Sequence, residues 1–288
     1  MNRFSKLHPL LHLLFYSFSL IFVLIASNPF FSFASLIGAF LYNGVIHKSR
    51  IFKNLRLILL IIIFVSLFNM LFAHYGVHIL FKIKYTPFTL EALFYGFNQG
   101  MVLSSVLLWF SALSYNFDGD RVLYLFRFAP KLSLMFSIIL GFIPRFNKKL
   151  SEIREAQLAL KGGEAAKGLK GRFEDALSNL SALITYSLES SIITADSMNA
   201  RGYNPKKIST KRYSISHQDI VLTVLVIALF SFVLFSKLTG QITFVFEPEI
   251  YSKTFSLWAF ICFIIMELIP FFVEMWEEML WKLSNAVA

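Results

Sequence analysis

A helix needs roughly 20 apolar residues to cross a ~30 Å hydrocarbon core, and this chain supplies that length six times. Residues 10–27 (LLHLLFYSFSLIFVLIAS) form the first run, closed by Asn28-Pro29. Residues 30–46 follow at once, and residues 55–73 (LRLILLIIIFVSLFNMLFA) are the clearest span. Residues 91–115 are long but diluted by Gly96, Asn98, Gln99, Gly100 and several serines, so one side faces protein rather than lipid. After about a hundred residues without a span come residues 219–236 and 255–273. With 57% hydrophobic and only 15% charged residues, a soluble globule and a disordered chain are both excluded. The fold class is an all-α integral membrane protein.

The charges orient it. The 27 Lys and Arg against 17 Asp and Glu give a formal +10. In a membrane protein that excess reads first as cytoplasmic loops, not as a nucleic-acid surface. With the N-terminus in the cytoplasm, only Lys82, Lys84, Lys237 and Lys253 fall outside. All other basic residues lie inside, so both termini are expected in the cytoplasm of a multi-pass protein of the cell membrane. A cleaved leader is not expected from the first 27 residues. Their apolar run is too long, no small residue stands at a suitable cut, and another apolar run follows directly. The stretch 132–144 (LSLMFSIILGFIP) is too short to span and is expected to form a buried or interfacial helix. Three regions result: four spans in 1–116, a cytoplasmic region in 117–217, and two spans in 218–288.

The middle region carries most of the charge. Phe146, Leu150, Ile153, Gln157 and Leu160 recur at helical steps, with Lys148, Lys149, Glu152, Arg154 and Glu155 on the other sides. Gly162-Gly163 ends that helix. A second amphipathic helix is expected from about Arg172, with its stripe through Phe173, Leu177, Leu180, Ile184, Leu188, Ser191, Ala195 and Met198. Gly202, Asn204 and Pro205 mark its end. Stripes of this kind are most often ordinary core, but two long helices with one apolar face each also invite a partner. Arg201 is expected as the last helical residue before a glycine stop, its guanidinium held at the tip of a rigid rod. There its planar fork can donate to carbonyls or a carboxylate on a docked surface.

From these residues the chain resembles the transmembrane T component of energy-coupling factor (ECF) transporters, the CbiQ-like family. The family's coupling motif is Ala-Arg-Gly, found at the ends of two long cytoplasmic helices. The second copy is intact here as Ala200-Arg201-Gly202. The first reads Ala159-Leu160-Lys161-Gly162, with Leu160 in the arginine's place and Lys161 displaced by one when counted from the alanine. His8-Pro9, Ser27-Asn28-Pro29, Phe68-Asn69 followed by Gly76, Thr89-Leu90-Glu91-Ala92, Phe142-Ile143-Pro144-Arg145 and Leu268-Ile269-Pro270 also match, in order along the chain. The resemblance implies a non-catalytic scaffold between two cytoplasmic ATP-binding-cassette ATPase subunits and a small substrate-binding membrane subunit, the S component, for uptake of a vitamin or metal ion. It implies no cofactor on this chain.

Other chemistry is thinly represented. No G-x-x-x-x-G-K-[ST] sequence is present, so the chain cannot form a P-loop for ATP phosphates. The single cysteine, Cys262, excludes an intrachain disulfide and a Cys-based metal site. His8/His12 and His74/His78 stand four apart, a spacing that can present two imidazoles to a metal, but neither pair has a local carboxylate or thiol to complete a site. Glu91 and Glu267 come nearest to intramembrane acids. Glu91 at a helix start reads as an acid favoured by the helix dipole; Glu267 reads as bonding within the bundle or reaching the interface. The rival function is a stand-alone secondary transporter or channel, which needs a polar pathway at mid-membrane and usually internal repeats.

Overall fold

The computed structural model describes residues 7–46, 51–73, 76–83, 86–126, 129–162, 168–203, 216–246 and 250–287. In chain order the elements are α1 (Pro9–Ala26), α2 (Pro29–Ile46), α3 (Ile51–Phe72), β1 (Ile79–Ile83), β2 (Thr86–Thr89), α4 (Leu90–Asn116), α5 (Gly119–Leu125), α6 (Pro130–Leu160), α7 (Gly168–Ala200), α8 (His217–Leu238), β3 (Thr243–Val245), β4 (Tyr251–Thr254) and α9 (Leu257–Val287). Among the described residues α1, α2, α3, α4, α8 and α9 are long and apolar enough to cross a membrane. The protein is an all-α membrane protein. It divides into one unit of Met1–Asp118 with Tyr213–Ala288 and a second of Gly119–Arg212.

In the first unit the helix boundaries follow local chemistry. Pro9 opens α1, and His8 caps it through Nδ1, which accepts from the Leu10 amide at 3.3 Å. Ser27 at φ 45° ends α1. The Asn28 side chain then accepts from the Phe30 amide at 3.1 Å, starting α2. Asp219 of α8 accepts from the backbone of Ser216 at 2.9 Å and of His8 at 3.2 Å, tying the starts of α1 and α8 together. At the other ends of these two helices, Lys237 donates to the carbonyls of Ala26 (3.0 Å) and Ile242 (3.2 Å). Lipid offers no hydrogen bonds, so such ties satisfy backbone groups that would otherwise be stranded.

Helix α4 packs on α1, α2 and α3, and α9 packs on α2 and α8. The core around α4 is aromatic: the Trp109 ring lies 5.4 Å from Phe15 and 5.9 Å from Tyr16, and its indole N–H donates to Ser35 at 3.0 Å. Asn116 donates to the hydroxyls of Tyr16 and Tyr42, both at 2.7 Å. The α3–α4 contact is the tightest. Gly96 and Gly100, four apart on one face of α4, let the backbone of α3 approach at Ser66 and Ile62.

Two short antiparallel hairpins, β1–β2 and β3–β4, join spans where the sequence reading had only loops. Helix α9 also runs on to Val287, well past the end of its apolar stretch.

In the second unit α6 and α7 form a hairpin. The contacts Lys161–Asp175, Gln157–Ser178 (2.9 Å) and Lys149 over the Tyr186 ring (5.1 Å) all join residues whose numbers add to nearly the same total, the signature of antiparallel neighbours. Residues 132–144 are helical, but as the first half of α6 with Pro144 inside it and not as a helix of their own, and Leu132, Met135, Ile139 and Ile143 are exposed, which goes against the buried alternative. Helix α7 likewise begins at Gly168, a turn before Arg172.

Candidate functional site

The residues singled out in the sequence sit at the C-terminal ends of α6 and α7, and both helices stop at a left-handed glycine. At the α7 end the Gly202 amide donates to Asn199 (3.0 Å) and the Tyr203 amide to Met198 (3.0 Å), with Gly202 at φ +70°. This is a Schellman stop, in which a left-handed residue folds the chain back onto the last orphaned carbonyls. Arg201 is the cap residue just before the turn; its amide still bonds to Ser197 at 3.1 Å although the regular helix stops at Ala200. At the α6 end Gly162 is also at φ +70°, and its amide donates to Ala159 at 3.1 Å. Lys161 is the cap residue there. A Cβ on Gly162 or Gly202 would meet nothing within 4 Å, so the glycines serve the backbone angle and not a close approach.

Counted from these left-handed glycines, Leu160-Lys161-Gly162 and Ala200-Arg201-Gly202 fall in register. Lys161 and Arg201 occupy the same cap position, a correspondence that counting from Ala159 conceals. Their surroundings differ. Lys161 forms an ion pair with Asp175 of α7, whereas the exposed Arg201 side chain has no such partner among the described residues. Leu160 is 88% exposed. The two cap positions lie far apart: Asp175 marks the α6 end, and Arg201 follows it by 26 residues, about 40 Å of helix.

Between these ends lies an uncovered apolar face. Helix α7 buries none of its residues, and Phe173, Leu177, Leu180, Ile184 and Leu188 are all at least half exposed. A row of that length is wider than a monomer ordinarily leaves to water.

The remaining candidates have structural partners. Glu91 is fully buried and accepts from the amides of Val77 (3.2 Å) and His78 (3.0 Å), with the His78 ring at 2.7 Å. It pins the loop before β1 and is more than a helix-start acid. Glu267 is also fully buried and accepts from the Ser19 hydroxyl at 2.7 Å, so it bonds within the bundle. His12 is buried and stacked on Tyr16, its ring centroid 6.3 Å away. His74 lies outside the described residues. Among the described residues no cluster of three His, Cys, Asp or Glu side chains could hold a metal. Sequence reasoning missed Asp175 and the Gln157–Ser178 pair; once the helices are set antiparallel, both follow from the Lys161 position.

Comparison with known proteins agrees with this picture. A family model described as CbiQ, cobalt transport protein, matches residues 2–213, most of the chain. No curated protein matches.

Proposed function

Because the chain belongs to the CbiQ cobalt transport protein family, we propose that it is the membrane-embedded coupling subunit of an ECF-type importer. In this reading two ATP-binding-cassette ATPase subunits bind in the cytoplasm, one at the Arg201 end of α7 and the other at the Leu160–Lys161 end of α6. An S component in the membrane captures the cargo, a metal ion such as cobalt or a vitamin. In this reading the chain supplies no catalytic residue and joins the other two.

The observation that supports the reading is the pair of matching glycine-stopped helix ends, each offering a cation at the cap, set about 40 Å apart by an antiparallel hairpin. Two separate docking points on one stiff element suit two separate ATPase subunits. When ATP draws those subunits together, the two ends are driven against each other and α6 shears on α7. Among the described residues the polar and cation–ring contacts between these helices lie within residues 149–161 and 175–186, and the reading has the outer lengths swing. The apolar face of α7 is then a surface for a partner that moves with it. The basic excess in 117–217 supports a cytoplasmic position for this hairpin.

Arg201→Ala tests it. The side chain is exposed and its helix stop depends on Gly202, so the variant should insert and fold normally. Losing one multi-donor, charge-assisted contact costs about 1.5–3 kcal/mol, roughly 10- to 150-fold in a binding constant. ATPase co-purification and ATP-dependent uptake should fall together, and Arg201→Lys should restore them in part because the planar fork is lost. Full uptake by Arg201→Ala at normal ATPase stoichiometry would remove the basis for the coupling role. Uptake by the isolated chain in liposomes would favour a stand-alone transporter.

A further inference from the structure

The two cap cations of the α6–α7 hairpin differ in their company. Arg201 is exposed at the end of α7, and the acid that precedes it, Asp196, stands five residues back on another side of the helix. Lys161 instead forms an ion pair with Asp175, about two turns into α7. Register places the acid there. Lys149 with Tyr186, Gln157 with Ser178 and Lys161 with Asp175 step along one antiparallel seam. Among the described residues the ion pair is the last of these contacts toward the α6 end.

The pair is open to exchange. The Lys161 side chain is 48% exposed and that of Asp175 25%, so a docked surface can reach both, and an ion pair this wet is weak. It also works against docking. A surface that takes Arg201 offers carboxylates or carbonyl oxygens. The same kind of surface brought to Lys161 meets the Asp175 carboxylate beside it, which competes for the ammonium and repels any acid of the partner. Sliding removes the obstacle. A slip of one helical turn, about 5.4 Å, sets Lys161 against Gly171 and Arg172 in one direction or Ser178 and Asn179 in the other. None of these is acidic.

We propose that Asp175 is a competitor built into the hairpin for the α6 docking site: it holds Lys161 back, makes that site the weaker and releasable one of the two, and gives the lysine up when α6 slides on α7. This device presupposes the coupling role proposed above and adds to the α6 end a regulation that the Arg201 end lacks. Arg201 then anchors one ATPase subunit throughout, whereas the other is gripped fully only in the slid state of the hairpin.

The test immobilises the full-length chain in detergent with the ATPase subunits that co-purify from its own membranes, and follows their retention during washing at low ionic strength, where exposed charges are least screened. On an Arg201→Ala background the α6 site carries the retention. There Asp175→Asn should lengthen it about two- to fivefold, the amount an exposed ion pair is worth. The gain should vanish in Lys161→Gln/Asp175→Asn. Lys161→Asp/Asp175→Lys separates competition from stiffness of the hairpin: it restores a pair with the signs exchanged but leaves no cation at the cap, so retention should fall below that of Arg201→Ala alone. Retention unchanged or shortened by Asp175→Asn, a gain that survives Lys161→Gln, or a swapped pair that holds the subunits as well as the Arg201→Ala chain would each overturn the proposal. If Arg201→Ala itself fails to weaken retention, the coupling role falls; if it weakens retention and Asp175→Asn changes nothing, only the competitor falls.

Discussion

Gly100→Ala places a methyl group where α3 already stands. The new Cβ would lie 2.8 Å from the Ile62 Cα and 3.2 Å from the Ile62 carbonyl oxygen. At Gly96 the corresponding distances are 2.7 Å to the Asn69 Cβ and 2.8 Å to the Ser66 Cα. Carbon atoms sit comfortably at ~3.5–4.0 Å, so α3 must retreat by about 1 Å in either case. Backbone cannot rotate away as a side-chain tip can. Overpacking of this kind costs about 1–3 kcal/mol, and the retreat also strains the Ser66 hydroxyl bond to the Leu93 carbonyl (3.0 Å). The higher helix propensity of alanine recovers up to ~1 kcal/mol. One retreat relieves both overlaps, so Gly96→Ala/Gly100→Ala should cost clearly less than the sum of the singles. Gly44→Ala in α2 is the control, because its Cβ would meet only Ile51 at 3.9 Å. Unfolding by sodium dodecyl sulfate, followed by circular dichroism in mixed micelles, measures the differences. If both variants match the wild type and Gly44→Ala, the close α3–α4 approach does not hold the bundle together.

With Cys262 replaced, single cysteines near Lys82 and Lys237 should react with an impermeant thiol reagent applied to intact cells, and one within residues 163–171 should not; the reverse pattern would invert the orientation. Glu91→Gln should loosen the loop before β1, because the amide keeps one acceptor oxygen but loses the charge and turns the second acceptor facing His78 into a donor. A loss of about 1–3 kcal/mol is expected, read as faster hydrogen exchange at 77–89 with the rest of the unit unchanged. Lys161→Arg should strengthen ATPase co-purification whereas Leu160→Arg should not, since Lys161 and not Leu160 shares the cap position of Arg201. The opposite ranking would mean that distance from Ala159, not from the glycine, sets the contact.

The spans were legible in the sequence because each is a long run whose chemistry leaves one option, and their ends carry their own signals: Pro9, Asn28-Pro29, and Asp219 after Ser216. What pairs with what was not. Ser19 with Glu267, Asn116 with Tyr16 and Tyr42, and Glu91 with the loop at Val77 join residues up to 248 positions apart. No local pattern records such pairs. The hairpins β1–β2 and β3–β4 are too short for their alternation to stand out from a polar loop.

Residues 132–144 are the informative case: a helix is expected there, but not its continuity with the one that follows. A mostly apolar stretch of thirteen residues containing Gly141 and Pro144 looks like an isolated segment, since a proline usually breaks a helix. Here α6 passes through Pro144 with an exposed outer face, where water or a headgroup can take the carbonyl that the ring leaves unbonded. Its inclusion doubles the first rod. With 31 residues in α6 and 33 in α7, the two rods become nearly equal, each about 45–50 Å. The short connector between them forces a reversal of direction, so two helices that both end in a cation and a left-handed glycine must present those ends on opposite sides. A single Ala-Arg-Gly motif would give one handle on such a lever. In the coupling role proposed above, the full length of α6 would give the second handle a comparable arm, with Lys161, despite its different neighbour in Asp175, at the cap position that Arg201 holds in α7.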